Sequence, residues 1–251
     1  MMVRIILSGC EGRMGHTVAA CAEGRQEYKI MAGIDKRQDK NLPFPVFDSP
    51  EKITEKADAL IDFSNPALLD FLLAFGVRTK TPLILCTTGY SRQQTEKIHE
   101  FSKKIPIFFS GNMSLGISLL IELSKKAAQV LGNKFDVEIV EEHHNQKIDA
   151  PSGTALMIAD GISSVLPEKM HYVYDRHSRR KKRDSNEIGI HSIRGGTIVG
   201  EHKVIFAGPQ EVLTIAHSAQ SKDIFALGAL RASAFMSHKD PGLYGMADLL
   251  K

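Results

Sequence analysis

Residues 141–155 (EEHHNQKIDAPSGTA) place His143, His144 and Lys147 within a few residues of a Ser152-Gly153-Thr154 turn. Imidazole changes charge near neutral pH, and a lysine ammonium either holds an anion as a point charge or donates a proton. Pro151 stiffens the approach to the turn, and an apolar helical run, expected over 154–165, follows it. Backbone N–H groups and hydroxyls at a helix start favour a bound carboxylate or phosphate. The same Ser or Thr can instead serve only as an N-cap. Asp149 can orient a neighbour or cap the turn. On an extended segment His143 and His144 point to opposite sides, so one can face a substrate while the other does something else. Adjacent histidines lack the i, i+4 spacing of helical zinc ligands and no further ligand pattern completes a set, so no metal is expected.

A second chemical signal lies near the N-terminus. Residues 3–8 (VRIILS) read as a short buried strand running into Gly9-Cys10-Glu11-Gly12-Arg13-Met14-Gly15, and 16–22 continue as an amphipathic helix. Strand, glycine turn and helix are the parts of a dinucleotide-binding unit, here spaced G-x-x-G-x-x-G. Gly9 suits the tight turn, Gly12 lets backbone approach a pyrophosphate, and Gly15 lets helix and strand pack closely. The next strand, 29–34, ends at Asp35, where a ribose-binding acid is expected. Lys36 and Arg37 follow. An acid favours the free ribose of NADH and the bases favour the 2′-phosphate of NADPH, so both cofactors stay open.

Elements that would position these groups alternate along the first half. Strands are expected at 59–63, 82–86 and 105–109, with helices over 65–77 and 91–104. Such alternation implies a parallel sheet with right-handed crossovers, whose ligands bind beyond the strand ends. Phe63, Thr88, Gly89 and Asn112 occupy those loops and become candidates for the nicotinamide side. Phe63 can equally be core packing, and Thr88-Gly89 plain turn chemistry.

The rhythm changes after residue 114. A helix over 116–131 leads to a strand at 136–142 and the His-His-Lys segment. Three more strands, 189–194, 201–207 and 212–218, suggest an open, mostly antiparallel sheet with a face left for a helix and for subunit association. An Ala- and Leu-rich helix over 224–237 is expected to return to the first domain. The expected fold is therefore α/β: a Rossmann-type parallel-sheet domain (1–113 and 223–251) plus a smaller α+β domain with an open mixed sheet (114–222).

With 251 residues, 43% of them hydrophobic, the chain can bury a substantial core, and a net charge of +3 demands no nucleic-acid partner. The run Arg179-Arg180-Lys181-Lys182-Arg183 reads as a solvated loop, with attraction of an anionic substrate or cofactor as the alternative. Cys10, Cys21 and Cys86 show no paired spacing, no apolar run is long enough to span a membrane and no leader precedes the first strand, so a cytoplasmic location is expected.

The glycine turn together with His143-His144, Lys147 and Asp149-Ala150-Pro151-Ser152-Gly153-Thr154-Ala155 resembles the dihydrodipicolinate reductase (4-hydroxy-tetrahydrodipicolinate reductase) family. Asp62-Phe63-Ser64, Thr87-Thr88-Gly89, Asn112 to Gly116 and Val199-Gly200-Glu201-His202 resemble family segments in the family's order. The resemblance implies an NADH- or NADPH-dependent reduction of a cyclic imine dicarboxylate, with loss of water, in lysine and diaminopimelate biosynthesis. It implies His143 as the acid/base residue, Lys147 as proton donor, and His144, Ser152, Gly153 and Thr154 at substrate positions. Gly9, Cys10, Glu11, Gly12, Arg13, Met14 and Asp35 would hold the dinucleotide, Lys36 its 2′-phosphate, and the 87–89 and 110–113 loops its nicotinamide. A homotetramer built through the second domain's sheet is implied too. Cys86, where the family commonly has glycine, is expected to crowd the nicotinamide loop, and Lys222 stands where an arginine is usual.

Overall fold

An unbroken apolar run is the mark of a strand buried on both faces, and VRIILS becomes one: β1 (Val3–Ser8) has Ile5, Ile6 and Leu7 fully buried. The computed structural model describes residues 2–37 and 42–251. The chain divides into one unit of Met1–Leu115 with Asp223–Lys251 and a second of Gly116–Lys222.

In the first unit β1 is followed by α1 (Arg13–Ala22), β2 (Tyr28–Ile34), β3 (Val46–Phe47), β4 (Ala59–Asp62), α2 (Leu69–Thr79), β5 (Leu83–Leu85), α3 (Arg92–Phe101) and β6 (Pro106–Phe109). Counting through the whole chain, α6 (Asp223–Met236) and β12 (Gly242–Tyr244) complete it. The seven strands run parallel in the order β12-β6-β5-β4-β1-β2-β3. Successive strand residues face opposite sides, so two cores form. Ile5, Leu7, Ile61, Ile84 and Phe108 pack with Val18 of α1 and Ala229 and Leu230 of α6. Ile6, Leu60, Leu83, Leu85 and Ile107 pack with Leu72 and Leu73 of α2 and Ile98 of α3.

Helix ends differ from the sequence reading where local chemistry intervenes. α1 starts at Arg13, directly after Gly12. The segment read as a helix from residue 65 opens with a 3-10 turn at Pro66–Leu68, capped by Asn65, before α2. α3 begins behind a reciprocal Ser91–Gln94 capping box and stops at Phe101.

The second unit holds α4 (Leu115–Leu131), β7 (Asp136–His143), α5 (Gly153–Ser163), β8 (His171–Val173), β9 (Glu187–Arg194), β10 (Glu201–Ala207) and β11 (Val212–Ser218). Its sheet order is β11-β10-β7-β9-β8. The expectation of a mostly antiparallel sheet is corrected. β10 pairs antiparallel with β7 and β11, but β9 pairs parallel with both β7 and β8. The reason is that α5 returns the chain from β7 to the start of β8, and the 174–186 segment returns it again from β8 to β9, so all three strands start from the same end of the sheet. Ala155, Ile158, Ala159 and Ile162 of α5 cover one face, against Val137, Ile139, Ile188, Ile190, Val204 and Phe206. The opposite face carries the alternate residues, among them Val212 (63% exposed) and Ile193 (46% exposed).

The basic run is only partly solvated. Arg179 to Lys182 are exposed, but Arg183 is folded back onto Asp136 (3.1 Å), Glu138 and the Glu187 carbonyl. The carboxylates of the strands, closely spaced on one face, need such a counter-charge.

Candidate active site

On the helix-covered face of the second unit, apolar residues of β7 give way at its C-terminal end to Glu141 and His143. The strand alternation puts both on the side of Val137 and Ile139. Register places Glu141 beside His202 of β10 and Ser192 of β9, and His143 beside Arg194. Glu141 is fully buried. Its carboxylate accepts from both Arg194 terminal nitrogens (2.7 and 2.8 Å), from the Ser152 N–H (3.1 Å) and from His143 Nδ1 (2.5 Å). Burial opposes its ionisation, yet Arg194, Ser192, His143 and Ser152 outweigh that and hold its pKa at about 2. His143 is pushed below the ordinary imidazole range, first by burial, with Glu141 acting the other way and Lys147 and Arg194 adding to the decrease. The His143 and His202 rings meet edge to face, their centroids 5.3 Å apart. Burial and the neighbouring His143 bring the pKa of His202 down to about 4.

The loop after β7 carries the remaining groups. Lys147 Nζ donates to Asp149 Oδ1 (2.8 Å), so Asp149 pairs with this neighbour. Arg194 reaches the Asp149 carbonyl (2.6 Å), tying this loop to β9. The Ala150–Pro151 peptide is cis. His144 is half-buried, and its Nδ1 has no partner among the described residues. Gly153 is exposed at the first position of α5, with open space where a Cβ would stand, and Thr154 is half-buried beside it.

Ser152 requires a correction. It is 2% exposed, its hydroxyl accepts from the Ala155 N–H (3.1 Å) and hydrogen-bonds His202 Nε2 (3.1 Å). It is the N-cap of α5 and holds the polar cluster together. Both of its hydroxyl contacts lie within the protein.

The first unit brings the other sequence candidates to the C-terminal ends of its strands. Gly9 adopts a left-handed φ of 76°, and a Cβ there would stand 2.7 Å from the Phe63 carbonyl oxygen. Gly15 packs so closely on the turn that a Cβ would lie 2.2 Å from the Gly9 carbonyl oxygen. Gly12, exposed, caps α1 without a side-chain hydrogen bond. Glu11 and Met14 are half-buried and Arg13 is exposed. Asp35 Oδ2 accepts from the Glu11 N–H (3.1 Å) and Oδ1 from the Arg37 N–H (3.2 Å), so it sits against the glycine turn, with Lys36 exposed next to it.

Several candidates turn inward. The Cys10 side chain is fully buried, and Met113 is 2% exposed in the same core. Both side chains turn away from any ligand, because an apolar side chain at a strand end gains more from the core than from water. Cys86 also points into that core, 5% exposed, so the expected crowding of the nicotinamide loop is not seen. Phe63 packs partly against the core. Thr87 is buried and donates to Asp62 Oδ2 (2.7 Å), while the Asn112 side chain accepts from the Ser114 N–H (2.8 Å). Both shape their loops from within. Ser110 is half-buried, and Thr88, Gly89 and Gly111 are exposed, Gly89 with a φ of 82°.

Sequence reasoning missed Arg194, assigned no role to Glu141 or Asp62, and named His202 only as part of a family segment. Asp62 is buried at the end of β4 and accepts from Thr87 and Ser64 hydroxyls; burial raises its pKa. One signal was available: a Glu and an Arg on apolar-patterned strands, where a charge survives burial only when paired. A surface cavity of about 550 Å³ in the second unit is lined by residues such as Asp160, Lys169 and Tyr172 and includes none of this cluster. Among the described residues no group of three or more His, Cys, Asp or Glu could hold a metal ion, and no helix is long and apolar enough to cross a membrane.

Comparison with known proteins identifies the family. Residues 3–113 match the family model for the dihydrodipicolinate reductase N-terminus, and 116–250 match that for its C-terminus. The chain belongs to the dihydrodipicolinate reductase family. The 4-hydroxy-tetrahydrodipicolinate reductase of Caldanaerobacter subterraneus subsp. tengcongensis is 53% identical over 251 residues, covering 100% of this chain and 99% of its own. The Clostridium tetani protein of the same name is 50% identical over 250 residues, covering 100% and 98%. The dipicolinate-bound dihydrodipicolinate reductase of Paenisporosarcina sp. TG-14 shares the fold, with a TM-score of 0.82 at 24% identity over 99% of this chain and 100% of that one. As a dihydrodipicolinate reductase family member, the protein is an oxidoreductase of lysine and diaminopimelate biosynthesis, with an NAD(P)-type Rossmann fold in its first unit.

Proposed function

We propose that the protein reduces 4-hydroxy-tetrahydrodipicolinate to tetrahydrodipicolinate, with loss of water, at the expense of NADH or NADPH. The observation that carries this reading is the set His143, His144, Lys147, Gly153 and Thr154 gathered around one strand end and one helix start, in a chain of this family. The first unit is read as the dinucleotide-binding domain. Its glycine turn fits that group: the left-handed Gly9 and the exposed N-cap Gly12, which has no side chain to cover the helix start, leave backbone to meet a pyrophosphate. Gly9, Cys10, Gly12, Arg13 and Met14 would hold it through their backbone, with Glu11 and Asp35 on the adenosine side and Asp35 accepting from ribose hydroxyls. Lys36 would meet a 2′-phosphate. The 87–89 and 110–113 loops, with Phe63, would border the nicotinamide. When bound, the reduced nicotinamide supplies the hydride.

The second unit is read as the substrate and oligomerisation domain. A dicarboxylate needs cations and N–H donors, which Lys147, His144 and the start of α5 provide. The ring nitrogen needs a proton while the conjugated imine left by loss of water takes up hydride and passes through its enamine, which then tautomerises to the imine product. His143 is the acid/base group for that transfer and Lys147 the donor. Lys147 is held by Asp149 until a substrate carboxylate competes for it. The partly apolar outer face of the sheet supports association into a homotetramer, which light scattering of the purified protein would measure. The free cysteines fit a reducing compartment such as the cytoplasm.

A coupled assay tests the reaction. Dihydrodipicolinate synthase would form the substrate in place from pyruvate and aspartate semialdehyde, and oxidation of NADH or NADPH would be followed by absorbance. Oxidation requiring both proteins supports the reading, and the ratio of the two rates reports what Asp35 and Lys36 select. Folded protein that binds dinucleotide without oxidising it under these conditions would overturn the reading.

A further inference from the structure

We propose that Glu141, clamped by Arg194, is a positioning residue that fixes the tautomer and orientation of His143 so that Nε2 is its working nitrogen. The inference rests on the reading of His143 as the acid/base group and adds how the fold sets that group. An ionised carboxylate only accepts hydrogen bonds, so the nitrogen 2.5 Å from Glu141 Oε2 must be the one that bears the proton. His143 Nδ1 is therefore committed, and Nε2 alone remains to exchange a proton. Glu141 cannot swing away. Its other oxygen is taken by Arg194 and by the Ser152 N–H, and Arg194 is fastened in turn to the Asp149 and Ile193 carbonyls. On the far side of the ring, Gly200 lies where a Cβ would stand 3.1 Å from Nε2, so glycine keeps that nitrogen unobstructed.

Four charged or titratable groups face the ring: Glu141 on β7, Lys147 on the following loop, Arg194 on β9 and His202 on β10. Burial, Lys147 and Arg194 all disfavour the imidazolium, and Glu141 favours it. Without the carboxylate the ring would be free to turn over, and it would protonate only in more acidic solution.

The test compares Glu141→Gln, Glu141→Asp, His143→Ala and the Glu141→Gln/His143→Ala double variant. Readouts are kcat and KM in the coupled assay, dinucleotide binding, thermal unfolding, and the NMR titration of the His143 ring, assigned by its loss in His143→Ala. Glu141→Gln is expected to lower kcat by about 10- to 100-fold with dinucleotide affinity unchanged, and to move the His143 titration to lower pH. The two kcat losses should be far from additive, because both act through one ring. An unchanged titration in folded Glu141→Gln, or a kcat loss that adds in full to that of His143→Ala, would overturn the proposal. Should the Gln variant not fold, Glu141→Asp keeps the charge beside Arg194 and shortens the reach to Nδ1. The same changes in smaller measure are then expected, and wild-type kcat with a wild-type titration would overturn the proposal. Full turnover in His143→Ala would instead remove the underlying reading of His143.

Discussion

Two kinds of residue make up the candidate active site, those that meet ligand and those that hold them. His143 and Lys147 are proposed for the first kind; Glu141, Arg194 and Ser152, bonded to one another or to His143 and His202, fit the second. Replacing either His143 or Lys147 by Ala is expected to lower turnover by roughly 10²–10⁴-fold, the usual loss for a positioned acid or base. Dinucleotide affinity, measured by fluorescence titration, should stay unchanged, since the glycine turn lies in the other unit. A variant with near-wild-type kcat would remove the role given to that residue. Ser152 shows why a motif residue is not automatically a ligand contact. Its hydroxyl is used within the protein, and its burial follows from being both cap and partner of His202.

At the level of elements, the approach of α1 to β1 and the start of α5 are the two decisive joints. A methyl at Gly15 would meet the Gly9 carbonyl oxygen at 2.2 Å, and backbone cannot yield as a side-chain tip can. Gly15→Ala should therefore destabilise the first unit by about 1–3 kcal/mol or more and weaken dinucleotide binding, read by urea unfolding and by titration. At the other joint, Ser152→Ala removes a cap and a buried partner of His202. A loss of about 1–2 kcal/mol is expected from denaturant midpoints. An unchanged midpoint would mean that water or a neighbour replaces the hydroxyl. The basic segment teaches a related lesson. Arg183 looks like its four neighbours in sequence, but it alone of the five folds onto Asp136 and Glu138.

For the molecule as a whole, the buried polar cluster predicts how stability depends on pH. His202 has a folded pKa of about 4 against an ordinary 6.5, chiefly because it is buried. Between those values the unfolded chain binds the proton and the folded chain does not, so stability falls as pH is lowered through this window. The loss from this group amounts to roughly 3 kcal/mol. Glu141, with a pKa of about 2 against 4.5, has the sign usual for a carboxylate: its contribution is present above 4.5 and disappears as pH falls towards 2. Urea unfolding at a series of pH values should show the decline starting near pH 6.5. A His202→Gln variant should be flatter between 6.5 and 4; an unaltered slope would place the effect elsewhere.

Much of this was legible in the chain itself, for reasons of periodicity and punctuation. Unbroken apolar runs announce parallel strands, glycines at a strand end announce the dinucleotide turn, and His143 to Thr154 carry their chemistry in local spacing. β10 and β11 could be read to the residue because period-2 alternation needs only a half-buried surface. β3, β8 and β12 could not, since two or three residues contain no period. Nor could the sheet order of the second unit, which depends on β9 pairing beside β7 instead of following as a hairpin. Arg194 lies 53 residues from Glu141 in the chain. Only the parallel register of β7 with β9 makes them neighbours, and only burial turns that proximity into a fixed ion pair. The sequence determined which groups can carry protons and anions; the tertiary structure decided which of them are held, and by what.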